Sequence, residues 1–84
     1  LKYYNNQIQS IQQQLLTTKT LIKNLTRLYD SEQLRFQQGE SSVFLINSRE
    51  IKIIEAIQKQ LDLYYKWQFN WIQLALTKGV KTNF

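Results

Sequence analysis

The side chains in this chain that could do chemistry are six carboxylates, and they have no histidine or cysteine beside them. They are Asp30, Glu32, Glu40, Glu50, Glu55 and Asp62. Cysteine nucleophiles, serine–histidine triads, disulfides and the usual zinc or haem sites are therefore excluded. Glu55 and Asp62 each precede a lysine by four residues, which is the spacing of an ordinary ion pair on the solvent side of a helix. We expect no catalytic centre, metal or cofactor.

Two other carboxylates lie at positions where a charge is costly. Glu32 and Glu50 fall within the apolar repeats described below, close to the expected turn. A carboxylate there needs a partner, and Arg35 or Arg49 could supply one across the hairpin. Two interpretations stay open: an ion pair that fixes the register of the helices, or a recognition site. The same four residues are our candidates for switchable polar contacts.

An aromatic group near the C-terminal end also needs an explanation. Its members are Tyr64, Tyr65, Trp67, Phe69 and Trp71. A belt at a membrane interface and a platform for stacked bases are two interpretations. Trp67 and Trp71 fall within an apolar repeat, which favours a helical core or a subunit interface. The basic residues are not gathered on one face, so we predict no nucleic-acid partner.

Composition limits the fold that can position these residues. A length of 84 residues indicates one domain, and the absence of proline with only two glycines indicates few turns. The excess of 11 basic over 6 acidic side chains is modest and spread out. No apolar run reaches the ~20 residues of a membrane-spanning helix, and no signal peptide is visible. Because the chain begins without methionine inside a periodic pattern, we interpret it as a piece of a longer protein.

Apolar residues recur at alternating steps of three and four through the first half of the chain. The positions are Leu1, Tyr4, Ile8, Ile11, Leu15, Thr18, Ile22, Leu25, Tyr29, Glu32 and Phe36. Nine of these eleven are apolar or aromatic, and the spacing is that of a coiled-coil seam on one face of a helix. The residues between them are mostly polar and suit a hydrated face.

The second half repeats the pattern and adds a second apolar stripe. The predicted seam is Val43, Ile46, Glu50, Ile53, Ile57, Gln60, Tyr64, Trp67, Trp71, Leu74 and Lys78. The neighbouring stripe is Phe44, Ile51, Ile54, Leu61, Tyr65, Ile72 and Ala75. Two stripes are more than a two-helix seam requires, so this helix is expected to pack against something further, and the chain to self-associate.

The repeat breaks once, between residues 37 and 43. Gly39 can take the positive φ that ends a helix, and Ser41 or Ser42 can cap the next one. The sequence therefore predicts an all-α fold, a long antiparallel two-helix coiled-coil hairpin with helices over 2–37 and 43–78 and a turn at 38–42. Gly79 is expected to end the second helix and leave residues 80–84 as a frayed tail.

The residues around the turn resemble the hairpin tip of the TolC-like outer membrane efflux proteins. The resemblance is carried by an aromatic residue before a glycine, a small hydroxyl residue three positions later and an apolar helix start: Phe36, Gly39, Ser42 and 43–46. Tyr65-Lys66-Trp67 and the stretch 74–80 are similar to downstream parts of the family pattern. Residues 47–50 depart from the acidic residue and Ala-Gln that the family usually has there.

The resemblance implies that the chain is the C-terminal α-hairpin of a periplasmic tunnel in a homotrimeric export channel. The channel would be a passive conduit in the outer membrane, with this segment in the periplasm and membrane contact only through β-barrel strands that the segment lacks. Its tip, Gln38, Gly39, Glu40, Ser41 and Ser42, would contact a periplasmic adaptor protein and, indirectly, an inner-membrane pump. The polar Gln38 and Glu40 stand where the family has apolar residues, which implies a more polar adaptor contact.

Two rival functions belong to other classes. A generic coiled-coil scaffold that only oligomerises would have the same repeats but no need of the Gly39–Glu50 pattern. A basic amphipathic helix pair lying on a membrane surface would bind liposomes as an isolated piece.

Overall fold

A computed structural model of the chain describes residues 2–83, with side chains for residues 2–78. Its two helices are α1, Lys2–Gln37, and α2, Val43–Asn83. They pack against each other in a rod measuring 66 × 18 × 13 Å. Within residues 2–83 there is no strand. The predicted all-α antiparallel hairpin is confirmed.

One helix end differs from its expected position. α1 and the start of α2 lie at the predicted residues, whereas α2 continues to Asn83, past its predicted end at residue 78. A glycine within a helix costs only about 1 kcal/mol relative to alanine, so Gly79 weakens the helix without ending it. Leu1 of the predicted seam and Phe84 lie outside the described residues.

The turn is built on Gly39, whose φ of 76° is the left-handed conformation predicted for it. The Gly39 N–H donates to the Phe36 carbonyl at 3.0 Å, and the Glu40 N–H donates to the Arg35 carbonyl at 2.8 Å. These two bonds form a Schellman motif, which satisfies carbonyls that the end of a helix would otherwise leave without partners. The Arg35 guanidinium closes the turn further by donating to the Glu40 carbonyl at 3.2 Å.

Ser42 caps the start of α2. Its hydroxyl oxygen accepts a hydrogen bond from the Leu45 N–H at 3.2 Å, and its carbonyl accepts from the Ile46 N–H at 3.1 Å. This is the N-cap geometry in which a serine side chain serves one of the free donors of the first turn. From the sequence, either Ser41 or Ser42 could have been the N-cap. Ser41 instead forms a hydrogen bond to a side chain of α1, which is described below.

The packed face of α1 is the one that the repeat predicts. Every predicted seam position from residue 4 to residue 32 is buried or partly buried, while Phe36 beside the turn is 41% exposed. Thr18 lies within this core at 3% exposure because its hydroxyl donates to the Gln14 carbonyl of its own helix at 2.7 Å. The face tolerates a polar side chain where the helix itself provides the acceptor.

The packed face of α2 is only half of the predicted one. Ile46, Ile53, Gln60, Trp67 and Leu74 contact α1 as expected, since all are buried or partly buried. The other half of the predicted seam is wrong, because its members are exposed: Val43, Glu50, Ile57, Tyr64, Trp71 and Lys78. The places of Glu50, Ile57, Tyr64 and Trp71 are taken by the residues one position earlier along the chain: Arg49, Ala56, Leu63 and Asn70.

Counting apolar residues along the sequence predicts the wrong packed face of α2. The reason is that α2 has more columns of apolar residues than α1 can cover. Ala56 is small enough to let the helix backbones approach, and Arg49 reaches a carboxylate on α1. Asn70 is 9% exposed and satisfies its amide by donating to the Lys66 carbonyl at 2.8 Å. Steric fit and ion pairing, rather than the number of apolar atoms, therefore select the packed column.

Because α2 is turned about its axis relative to the predicted packing, part of its apolar surface stays uncovered. We name this surface the α2 outer face. Its members are Phe44, Ile51, Ile54, Ile57, Leu61, Tyr64, Tyr65, Trp71 and Ile72. Each is between 40% and 78% exposed. The structure thus has one hydrated helix, α1, and one helix with an open apolar side.

Substituting alanine for Gly39 should destabilise the hairpin without distorting it. A Cβ built at this position meets no atom within 4 Å, so the penalty is the left-handed backbone alone, about 1–2 kcal/mol. Urea unfolding followed by circular dichroism measures the loss. Gly39→Asn is the matched control and should cost less, because asparagine tolerates this conformation better. Equal stability of the glycine and alanine proteins would contradict the observed turn.

The packed face of α2 can be tested with two leucines of opposite exposure. Leu63 is 4% exposed against α1, whereas Leu61 on the α2 outer face is 52% exposed. We expect Leu63→Ala to lower the free energy of unfolding by about 2–3 kcal/mol and Leu61→Ala by less than about 1 kcal/mol. Urea unfolding at a concentration where the chain is monomeric gives both values. Similar losses from the two variants would mean that the packed face has been assigned wrongly.

Candidate functional site: the polar network at the turn

At the end of the rod that contains the turn, one carboxylate lies at the centre of a polar network. Glu32, in the last turns of α1, is 3% exposed. The Ser41 hydroxyl donates to its Oε2 at 2.5 Å, and Arg49 Nε donates to its Oε1 at 3.3 Å. Arg35 Nη1 lies 3.6 Å from Oε2. Three segments, α1, the turn and α2, are joined through this one side chain.

These contacts lower the pKa of Glu32 below its ordinary value of 4.5. The hydrogen bond from Ser41 contributes most. Burial opposes it by penalising the charged form, and the hydrogen bond from Arg49 and the positive charges of Arg35 and Arg49 lower the pKa further. Both carboxylate oxygens have partners, which is the condition for keeping a charged group in a packed seam.

Glu50 belongs to a separate, smaller network on one edge of the rod. The Tyr29 hydroxyl donates to Glu50 Oε1 at 3.3 Å, and Gln33 Nε2 donates to the Tyr29 oxygen at 2.6 Å. Glu50 itself is exposed. The four predicted switch residues are therefore divided: three meet at Glu32, and the fourth bonds to a tyrosine that sequence analysis had assigned to the core only.

Ser41, Tyr29 and Gln33 belong to these networks although the sequence patterns did not predict their contacts. Tyr29 could have been found, because folding the chain back at residue 39 places it level with Glu50. Ser41 could not, because its role depends on which of two serines caps α2. Of the two interpretations given for Glu32, the geometry fits the ion pair that fixes register, since the carboxylate has almost no exposed surface.

The five predicted tip residues differ in what they present to a partner. Gln38 and Glu40 are exposed, and Gly39 has open space around it. Ser41 and Ser42 use their hydroxyls within the turn. The surface available at the very tip is thus 38–40, and apolar side chains lie directly behind it: Leu34, Phe36, Val43, Phe44 and Leu45 are 40–78% exposed.

The aromatic end of the rod does not form the closed core that one interpretation expected. Trp67 packs partly against α1 and meets Trp71 edge-to-face, with ring centroids 6.1 Å apart, while Trp71 stays 44% exposed. Tyr64 and Trp67 line an open groove of about 350 Å³ with Gln12, Leu15 and Leu16. The buried indole Nε1 of Trp67 has no acceptor among the described residues.

Other kinds of site find little support in the described part of the chain. No three carboxylates within it lie close enough together to hold a metal ion. Glu55 and Asp62 make no ion pair within 4.0 Å among residues 2–78, so the lysine pairs expected from spacing are not formed. No helix of the described residues has the length and apolar character needed to cross a membrane.

Comparison with known proteins adds no relative: no family model, curated protein or solved structure matches this chain.

The Glu32 network predicts how stability depends on pH. Because the folded-state pKa is lowered, the carboxylate stabilises the hairpin fully above pH 4.5 and loses that contribution as the pH falls through the folded-state value. Thermal unfolding between pH 7 and pH 2 should show this acid-side decline, and Glu32→Gln should largely remove it. Glu55→Gln, which changes an exposed carboxylate, is the control and should keep the decline. An unchanged profile in Glu32→Gln would contradict the network.

Proposed function

We propose that this hairpin is a wall segment of the periplasmic tunnel of an outer membrane export channel similar to the TolC-like proteins. It would act as a passive conduit, without a catalytic centre or cofactor, within a homotrimer in the outer membrane. The observation that carries the proposal is the combination of a long rod with a glycine turn whose residues resemble the family's hairpin tip. The following features support it.

The shape of the molecule suits a tunnel wall. Two helices of 36 and 41 residues in a rod 66 Å long form no enclosed core of their own beyond a single seam. A wall made of such rods needs each one to pack sideways while leaving one side hydrated. The α2 outer face meets the first requirement, and the glutamine-, asparagine- and threonine-rich surface of α1 meets the second.

The hydration of α1 has a structural basis. Several threonine hydroxyls on α1 donate to the carbonyl four residues earlier, as Thr17 does to Gln13 at 3.0 Å and Thr26 to Ile22 at 2.8 Å. Their donors are satisfied by the helix, which leaves a surface of amides and hydroxyl lone pairs facing water. Such a surface suits a duct through which cargo passes.

The tip is the proposed contact with a periplasmic adaptor protein. The polar surface 38–40 and the apolar side chains behind it, Phe44 above all, form an exposed end that a partner helix pair could cover. An inner-membrane pump would supply the energy through that adaptor. Movement of the tip would have to break the Glu32 contacts to Ser41 and Arg49, so this network is the proposed element that resists opening.

A generic coiled-coil scaffold is the second candidate, and the α2 outer face favours it. An exposed apolar stripe of this length promotes oligomerisation whatever the cargo. The scaffold needs no particular chemistry at the tip, which is the feature that separates the two candidates experimentally.

In the full-length channel, Gly39→Val should reduce export while the protein remains folded in the membrane. Valine adds a branched side chain to a tip that now has open space, so it obstructs a close-fitting adaptor. Gly39→Ala is the control with less bulk and less backbone strain, since a β-branched side chain fits a positive φ worse than alanine does, and it should retain more export. Drug accumulation at equal protein levels is the measurement. Unchanged export in Gly39→Val would remove the tip from the functional account and favour the scaffold.

A further inference from the structure

The charged side chains on the hydrated side of α1 are almost all basic. The first 29 residues of the chain contain no carboxylate, although they contain four cations: Lys2, Lys19, Lys23 and Arg27. Asp30 is the first acidic residue, and Glu32 after it is buried among its own hydrogen-bond partners. Over most of its length, the surface of amides and hydroxyls on α1 therefore carries only positive charge.

Three of these cations follow one another closely, and we name Lys19, Lys23 and Arg27 the basic column. Each follows the previous one by four residues, which is about 40° around a helix, so the three lie within a sector of about 80°. At 1.5 Å per residue they span about 12 Å of the rod, and Arg27 is about 18 Å from the turn at Gly39. All three are exposed, and none has a carboxylate oxygen within 4.0 Å among residues 2–78.

α2 adds a cation at the same height. Residues that meet across the hairpin have numbers that add up to about 80, as the Tyr29–Glu50 and Glu32–Arg49 hydrogen bonds show. Lys59 is therefore level with residue 21, in the middle of the basic column. It lines an open groove of about 240 Å³ whose other walls are polar residues of α1: Ser10, Gln13, Gln14, Thr17 and Thr18.

The carboxylates nearby do not cancel this charge. Glu55 and Asp62 lie four residues before Lys59 and three after it, and neither lines the groove with α1. Lys52 and Lys66 lie one heptad to either side of Lys59, so this edge of α2 carries three lysines against two carboxylates. With the basic column and Asp30 of α1 included, six basic groups stand against three acidic ones.

We propose that the conduit prefers anions and that the basic column sets this preference. The inference rests on the proposed function, in which the hydrated side of α1 faces the lumen. In a homotrimer, cyclic symmetry repeats each charge three times at one height, so the column becomes three stacked basic rings. Rings of lysine and arginine raise the concentration of anions in a pore and lower that of cations. The favoured cargo is a molecule with net negative charge, such as a carboxylate.

The surroundings of the column strengthen its field. Lys19 lies one heptad after Gln12, which lines the apolar groove with Tyr64 and Trp67, so Lys19 lies at the border between the hydrated side and the α2 outer face. In the proposed wall, the α2 outer face is packed against neighbouring rods and excludes water. Charges of one sign beside such a low-dielectric wall are screened less, and their field is directed into the lumen.

Reversal potentials of the full-length channel in planar lipid bilayers test the preference. A lumen potential of about one kT enriches anions and depletes cations about threefold each, so chloride should permeate roughly fivefold to tenfold more readily than potassium. The preference should decline as potassium chloride is raised from about 0.1 M to about 1 M, because the screening length falls from about 10 Å to about 3 Å.

Charge reversal tests the role of the column. A protein with Lys19→Glu, Lys23→Glu and Arg27→Glu together should prefer potassium, because its three rings become acidic. The matched control combines Lys19→Arg, Lys23→Arg and Arg27→Lys, which keeps every charge and should keep the chloride preference. All three positions are exposed, so the helices should survive, and circular dichroism and the trimer's sedimentation verify this for both variants.

The outcomes separate this inference from the proposed function. A conducting channel that is unselective or prefers potassium overturns the anion preference and leaves the channel proposal intact. An assembled glutamate variant that still prefers chloride overturns the role of the basic column. A full-length protein that forms no conducting channel overturns the proposed function and this inference with it. The export test at Gly39 gives its result independently, because those variants leave the charges of α1 unchanged.

Discussion

The structure depends on the fact that one helix can cover only one stripe of another. α1 has one continuous apolar stripe, which packs against α2 from residue 4 to residue 32, whereas α2 has apolar residues around half of its circumference. When the two fold back on each other, part of α2 must stay uncovered. The position of the uncovered part determines where further helices can pack against the hairpin.

The selection of the packed column involves polar as much as apolar side chains. Ala56 permits close approach, and Asn70 fits because it bonds to its own helix. Arg49 fits because Glu32 is opposite, and Glu32 in turn is held by Ser41 from the turn. The ion pair and the glycine turn therefore act together: the turn sets where the chain reverses, and the network fixes how α2 is rotated about its axis.

The resulting rod is two-sided, and this property links the packing to the proposed roles. The α1 side is hydrated because amides and internally bonded threonines cover it, and the α2 side is apolar over some four heptads. A tunnel wall and an oligomeric scaffold both use such a division. They differ in what covers α2 and in whether the tip matters, and at the tip exposed polar residues lie beside exposed apolar ones.

Two helices, their starts, the positive φ of Gly39 and the packed face of α1 were predictable from the residues alone, because each depends on local propensity or on a repeat that allows one packed face. The sequence also identified Glu32, Arg35 and Arg49 as partners, since a carboxylate in a seam requires a cation. It could not determine which face of α2 is buried, which serine caps α2, or that Glu50 bonds to Tyr29. Those outcomes were decided only by the tertiary structure, because several columns of α2 were apolar enough to serve and the choice rested on side-chain size and ion pairing across the hairpin.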